Sequence, residues 1–290
     1  MKEAGLRFSA YLQLLRPANT VTALADILAG FAVAGGSGGL GWLLLATVGL
    51  YGGGMVWNDV CDAGLDAQER PERPIPSGRA SRMGAALLGA GLLALGVGAA
   101  GLASGLSAQL ALVLALLALG YDRFGKHHPL LGPLNMGACR GLNLLLGVSA
   151  VPVQVGRWWF LAWVPLAYIA AITAISHGEV HGGKQQTGVL ALGLLGLVLL
   201  AVLALTSQQG QLLPTLPMLG LLAGLVLPPF IQAAKQPEPF YIRRAVRAGV
   251  LALIVLDAAL AACFAGLVYA LGVLLLLPIS RGLARRFAVT

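Results

Sequence analysis

The chain has 290 residues, of which 58% are hydrophobic and only 10% charged, with a mean hydropathy of +0.84 and a formal net charge of +8. A soluble domain carries about 25% charged residues, so this chain cannot clothe a water-facing surface, and a soluble enzyme is excluded. The positive charge is not a nucleic-acid footprint, because it is distributed as a membrane protein distributes it.

Crossing a bilayer takes about 20 mostly apolar residues in a helix. Candidate spans lie at 17–35, 40–57, 83–102, 106–121, 134–152, 158–176, 188–206 and 212–232, followed by an apolar stretch at 248–280. That last stretch is too long for one upright helix and reads as one helix or as two short ones meeting near Gly266. The predicted fold is an all-α, polytopic transmembrane bundle of nine or ten helices around a central apolar cavity, a single membrane domain over residues 1–290. Ala32-Val33-Ala34 has the look of a signal-peptide cleavage site. The apolar run before it is long and contains Asp26, and later spans anchor the chain, so a retained first helix is expected.

With ten alternating crossings, Lys and Arg fall on one side. Lys2, Arg7 and Arg16 precede the first span, and Arg70, Arg73, Arg79 and Arg82 occupy the 58–82 loop. Arg123, Lys126, Lys184, Lys235, Arg243, Arg244 and Arg247 follow in later loops, and Arg281, Arg285 and Arg286 close the chain. The opposite side has only Arg157, and Arg140 lies within a span. Cytoplasmic loops attract Lys and Arg, so both termini and the polar mouth of the bundle are expected in the cytoplasm, in a multi-pass protein of a bacterial inner membrane. Cys61, Cys139 and Cys263 have neither disulfide nor zinc spacing. The 40 glycines spread through the spans fit close helix packing.

The richest segment is Asn58-Asp59-Val60-Cys61-Asp62-Ala63-Gly64-Leu65-Asp66, followed by Arg70-Pro71-Glu72-Arg73-Pro74-Ile75-Pro76-Ser77-Gly78-Arg79. Asn58, Asp62 and Asp66 are spaced i, i+4, i+8, so a second helix that continues past the membrane surface stacks them on one face. Clustered hard oxygen ligands suit Mg²⁺, which binds through a few carboxylates plus substrate phosphates and water. The arginines beside them suit the same phosphates. A solvated acidic loop neutralised by its own arginines is the bland alternative.

This run resembles the first aspartate motif of UbiA-type prenyltransferases, at the place where that family carries it. The resemblance implies an all-helical membrane enzyme that takes a prenyl diphosphate and Mg²⁺. It makes Asn58, Asp62 and Asp66 ligands of metal and diphosphate, and puts Arg70, Arg73 and Arg79 near the head group. Tyr121 and Lys126, before the fifth span, are similar to the family's diphosphate contacts there. Within that span, Asn135, Arg140 and Asn143 either line one polar stripe or, for Arg140, form an ion pair with Asp26 or Asp257.

The family's second aspartate motif falls on Ser176-His177-Gly178-Glu179-Val180-His181-Gly182-Gly183-Lys184. Glu179 takes the place of the first aspartate, as a further metal ligand. Gly183 takes that of the second, and Lys184 that of the basic residue. His177 and His181, at i and i+4, would share a face if the segment is helical, to help bind metal, act as a base or contact a polar acceptor. This run, with Gly132-Pro133-Leu134-Asn135-Met136-Gly137 and Arg140-Gly141-Leu142-Asn143, resembles the EboC-like subgroup. The expected function is Mg²⁺-dependent transfer of a prenyl group within the membrane to an unidentified acceptor. Asp62, Asp66, Glu179 and Lys184 would be catalytic. The alternative is a prenyl-lipid carrier or export component on the same fold. A phosphatidyltransferase lacks its D-G-x-x-A-R run here, and no internal repeat marks a secondary transporter.

Overall fold

The computed structural model describes residues 9–36, 38–122, 128 and 130–285. Pro17 opens α1 (Pro17–Ala34), where an N–H would have had no partner. Gly35 ends it at φ 61°, a left-handed conformation that a side chain disfavours. α2 (Leu40–Glu69) runs for 30 residues, about 45 Å at 1.5 Å per residue, so its acidic end emerges beyond the hydrocarbon core. α3 (Arg82–Ala103) and α4 (Gly105–Gly120) are capped by Ser81 and Ser104, whose hydroxyls accept from the N–H groups of Gly84 and Ser107, each at 3.0 Å. α5 (Leu131–Val148) is followed by the short α6 (Pro152–Trp158), whose last turn leads through a 3-10 segment into α7 (Trp163–Ser176). α8 (Gln185–Gln208), α9 (Leu212–Lys235), α10 (Pro239–Leu274) and α11 (Leu276–Ala284) complete the chain. The described residues are helical or irregular, with no strand among them.

Helix directions decide the number of crossings. Arg140 reaches Thr22, and Gly147 packs on Gly30, so α5 runs parallel to α1. Gly137 lies against Leu166 and Gly141 against Ala162, so α7 runs antiparallel to both. The Tyr168 hydroxyl donates to Gly249 O at 2.8 Å and Ile242 packs on Gly178, which turns the first part of α10 back to the direction of α1. Gly266 then breaks the helix at φ 79°, ψ 178°. Beyond it Tyr269 donates to Leu28 O at 3.0 Å and Ser280 to Ala18 O at 2.9 Å, so the chain descends antiparallel to α1. The long final stretch is therefore two crossings, and the described residues make ten. Seven helical stretches among them are long and apolar enough to span on composition alone, counting 239–284 once. α4 is shorter at 16 residues, and Arg140 with its asparagines dilutes α5.

Glycine sets the closest crossings. A Cβ on Gly147 would stand 2.5 Å from Ile27 O, and one on Gly49 2.6 Å from Leu92 O. Without a hydrophobic force between helices in lipid, such seams supply the packing. Gly147→Ala is expected to destabilise the detergent-solubilised protein by about 1–3 kcal/mol, read as a lower thermal midpoint. Gly91→Ala, at a position with open space around it, is expected to leave the midpoint unchanged.

Candidate active site

α1, α5 and α10 begin, and α2, α4 and α7 end, around one mouth. Between them lies a cavity of about 400 Å³. One wall is apolar, with Leu50, Leu114, Ile169, Ile172, Val250 and Leu253. The rim is polar.

α2 continues as a helix through Glu69, so Asn58, Asp62 and Asp66 do stack along the face that lines the cavity. The loop after it folds back on itself, with Ser77 N bonded to Arg73 O at 3.0 Å and Ala80 N to Pro74 O at 2.9 Å. That turn swings Arg73 over the helix end, 2.8 Å from Asp66 and 3.5 Å from Asp59. Arg16 reaches Asp59 from the other side at 2.7 Å. Its backbone sits at φ 43°, ψ 66° just before Pro17, strained for a residue with a Cβ at a cost of about 1–3 kcal/mol. The rim is therefore an interleaved set of carboxylates and guanidinium groups. Asn58 Nδ2 donates to Asp122 Oδ1 at 2.7 Å, tying the ends of α2 and α4 together.

Glu179 faces the rim from the turn after α7, and its Oε1 is buried with no hydrogen-bond partner among the described residues. Burial pushes its carboxyl above the ordinary value, against the lowering fields of Arg70 and Arg243. Arg243 also donates to Glu179 O at 2.8 Å, anchoring the turn.

The cavity lining thus brings together Asn58, Asp62, Asp66, Arg70, Arg73, Tyr121, Arg140, Asn143 and Glu179. Other expected residues lie elsewhere. His177 and His181 stand in a turn, not on a helix, because α7 ends at Ser176 and glycines 178, 182 and 183 follow; both are exposed and outside the lining. Lys184 is exposed in front of α8. Arg79 is exposed on the loop, bonded to Gln13, Ser77 and Glu72 O. Asn135 accepts a weak bond from Cys139 Sγ at 3.5 Å and does not join the stripe of Arg140 and Asn143. Lys126 lies outside the described residues. Arg140 forms the ion pair with Asp26, Nε to Oδ2 at 3.1 Å, and lines the cavity as well. Arg16, Asn19, Tyr51, Glu69 and Asp122 also line it and were not singled out from sequence.

Gly183 stands where the second carboxylate was expected. Its N–H donates to Pro237 O at 2.8 Å, and a Cβ there would come 3.1 Å from Ile242 Cδ1. The position is spent on packing the turn against the start of α10.

The described residues hold no group of three or more His, Cys, Asp and Glu close enough to cage a metal by themselves. Mg²⁺ does not need one: it keeps several waters and takes one or two carboxylates plus substrate phosphates. Asp62 and Asp66, one turn apart on a cavity-lining face, fit that mode, with Asn58 and the unpartnered Glu179 oxygen as further donors.

A model of the UbiA prenyltransferase family matches residues 21–239. The chain belongs to that family. A digeranylgeranylglyceryl phosphate synthase of Methanopyrus kandleri is 34% identical over 167 residues, which cover 56% of this chain and 59% of that protein. The first curated relatives of this UbiA chain are thus matched over about three fifths of their length. A solved structure concerned with digeranylgeranylglyceryl phosphate synthase in membranes has a TM-score of 0.67 at 19% identity, covering 88% of this chain and 97% of that one. A UbiA homologue of Archaeoglobus fulgidus, bound to GPP and Mg²⁺, has a TM-score of 0.56 at 14% identity, covering 91% and 99%. At such identities the likeness is one of fold. The relatives are archaeal, so they lend no support to the expected bacterial inner membrane. Multiple apolar helices and the family together make this a multi-pass membrane protein.

Proposed function

We propose that this UbiA chain transfers a prenyl group from an allylic prenyl diphosphate to an acceptor at the cavity mouth, on the cytoplasmic side, a reading that the positive charge of the loops supports. The observation that carries the reading is the rim of Asp62, Asp66, Glu179, Arg16, Arg70 and Arg73 set directly above an apolar wall. A diphosphate needs the first and its hydrocarbon tail the second. The family match and the GPP- and Mg²⁺-bound relative support it.

When bound, Mg²⁺ supplies Lewis-acid stabilisation of the departing diphosphate. Asp62 and Asp66 would hold it, with Asn58 and Glu179 in reach. Arg16, Arg70 and Arg73 place fixed positive charge where negative charge develops as the allylic C1–O bond breaks and its electron pair leaves on the diphosphate. The apolar wall keeps water from the carbocation. The acceptor's lone pair then forms the new bond to C1, and Glu179 takes the displaced proton at the rim.

Purified protein in detergent with Mg²⁺ tests this by thermal protection on titration with GPP and by diphosphate release. Protection together with release is expected. Protection without release, even with cell extract as a source of acceptor, would favour the carrier reading. No protection would sink both.

A pH profile tests Glu179. As proton acceptor or as metal ligand it works as the carboxylate. Burial raises its pKa above the ordinary glutamate value. The rate is therefore expected to fall as pH drops through a value above the ordinary glutamate range, and Glu179→Gln should remove that acid limb together with most of the rate, about 10²-fold or more.

A further inference from the structure

The cavity is not apolar to its end. Arg140 lines its inner part, 4% exposed, with its guanidinium carbon 5.7 Å from the Tyr51 ring centroid. Nη2 donates to Thr22 O at 3.0 Å and Nε faces Asp26, but Nη1 has no hydrogen-bond partner among the described residues. A buried donor on a charged group is rarely left without an acceptor, and one that lines a cavity marks where a ligand or water binds.

Charge narrows the choice. Asp26 and Asp257, 0% and 1% exposed, lie together beside Arg140, and Asn143 donates to Asp26 Oδ2 at 2.8 Å. The Asp26 carboxylate, 3.1 Å from Arg140 Nε, already balances the guanidinium, and Asp257 adds no positive charge. An arriving anion would bring unbalanced charge into a dry site, at high cost. A hydroxyl or carbonyl oxygen brings none and accepts from Nη1.

Depth limits the size. Tyr51 lies seven residues before Asn58 on α2, about 10 Å deeper. A molecule whose reacting atom sits under the diphosphate and whose far end meets Arg140 is therefore compact.

We propose that this inner part of the cavity holds the non-reacting end of the prenyl acceptor through an uncharged hydroxyl or carbonyl oxygen, bonded by Arg140 Nη1 beside Tyr51. The inference rests on the prenyl-transfer reading and adds the acceptor's class. It sets this chain apart from an acceptor that would press a phosphate or carboxylate against Arg140.

The test uses the full chain with GPP and Mg²⁺, and matched small probes: glycerol against glycerol 1-phosphate, and 4-hydroxybenzyl alcohol against 4-hydroxybenzoate. A neutral member of a pair is expected to stimulate diphosphate release and its anionic partner not. Arg140→Met should raise the KM of the neutral probe by about tenfold or more and leave the KM of GPP within twofold. Tyr51→Phe, which removes one hydroxyl and serves if Arg140→Met does not fold, should shift the same KM by a smaller factor. Stimulation by the anions alone, by neither class while GPP still protects, or an unchanged acceptor KM in the folded variants would each overturn the inference. Loss of GPP protection in the unaltered protein would instead overturn the reading beneath it.

Discussion

Asp62→Asn is expected to lower diphosphate release by about a thousandfold, as removal of several kcal/mol of metal-centred stabilisation requires. Asp62 is partly exposed at the cavity mouth. Its neighbours Asp59 and Asp66 form ion pairs with Arg16 and Arg73. The three carboxylates of this helix end therefore divide their work. Asp59 is engaged by arginines from both sides and holds α1 and the 70–81 loop onto α2. Asp66 is shared, since an arginine already occupies one of its oxygens at 2.8 Å. Asn keeps the shape of Asp62 and removes its charge from the cavity-lining face, while the arginine pairs of Asp59 and Asp66 stay in place to hold the scaffold. Circular dichroism and the thermal midpoint of Asp62→Asn should match the parent. Mg²⁺-dependent protection by GPP should disappear with turnover. A well-folded Asp62→Asn protein that still releases diphosphate would remove Asp62 from the metal site.

That arrangement was partly legible in the sequence, for a local reason. The stacking of Asn58, Asp62 and Asp66 needs only a helix that continues, and no residue between 58 and 69 interrupts one. Arg70 and Arg73 were legible because they follow the same motif by a few residues. Arg16 was read only as topology charge, since its engagement with Asp59 spans 43 positions of chain and depends on how α1 meets α2. Tyr51 and Asp122 were missed for the same reason: each becomes part of the site through packing of helices distant in sequence. The histidine face failed differently. Three glycines within 178–183 are turn signals, and the i, i+4 spacing of His177 and His181 has meaning only on a helix. Gly183, seen from sequence as a missing carboxylate, packs against Ile242 and Pro237. The count of ten crossings depended on Gly266, which the sequence offered as a possible break and the contacts of Tyr269 and Ser280 turned into a reversal.

The buried pair of Asp26 and Arg140 yields the second large effect, and it is asymmetric. Arg140 cannot shed its proton in a protein, whereas a carboxyl that loses its cation can take one up. Asp26→Leu therefore strands a guanidinium that only Asp257 still faces, and a broken buried pair costs about 3–5 kcal/mol. Arg140→Met leaves two carboxyls that can protonate and hydrogen-bond to each other, with Asn143 still in place, so its loss should be clearly smaller. The double variant Asp26→Leu/Arg140→Met removes both charges and replaces them with apolar bulk between α1 and α5, which for buried pairs is often neutral or better. The expected order of thermal midpoints is parent and double variant highest, Arg140→Met next, Asp26→Leu lowest. If both single variants were equally destabilised and the double variant fell by their sum, the two residues would be acting independently and not as a pair. The double variant also separates scaffold from chemistry. It should bind GPP with Mg²⁺ as the parent does, because the rim at Asp62 and Asp66 lies more than two helical turns above. Its acceptor KM should remain raised, because the inner cavity has lost the donor that the pair exists to present.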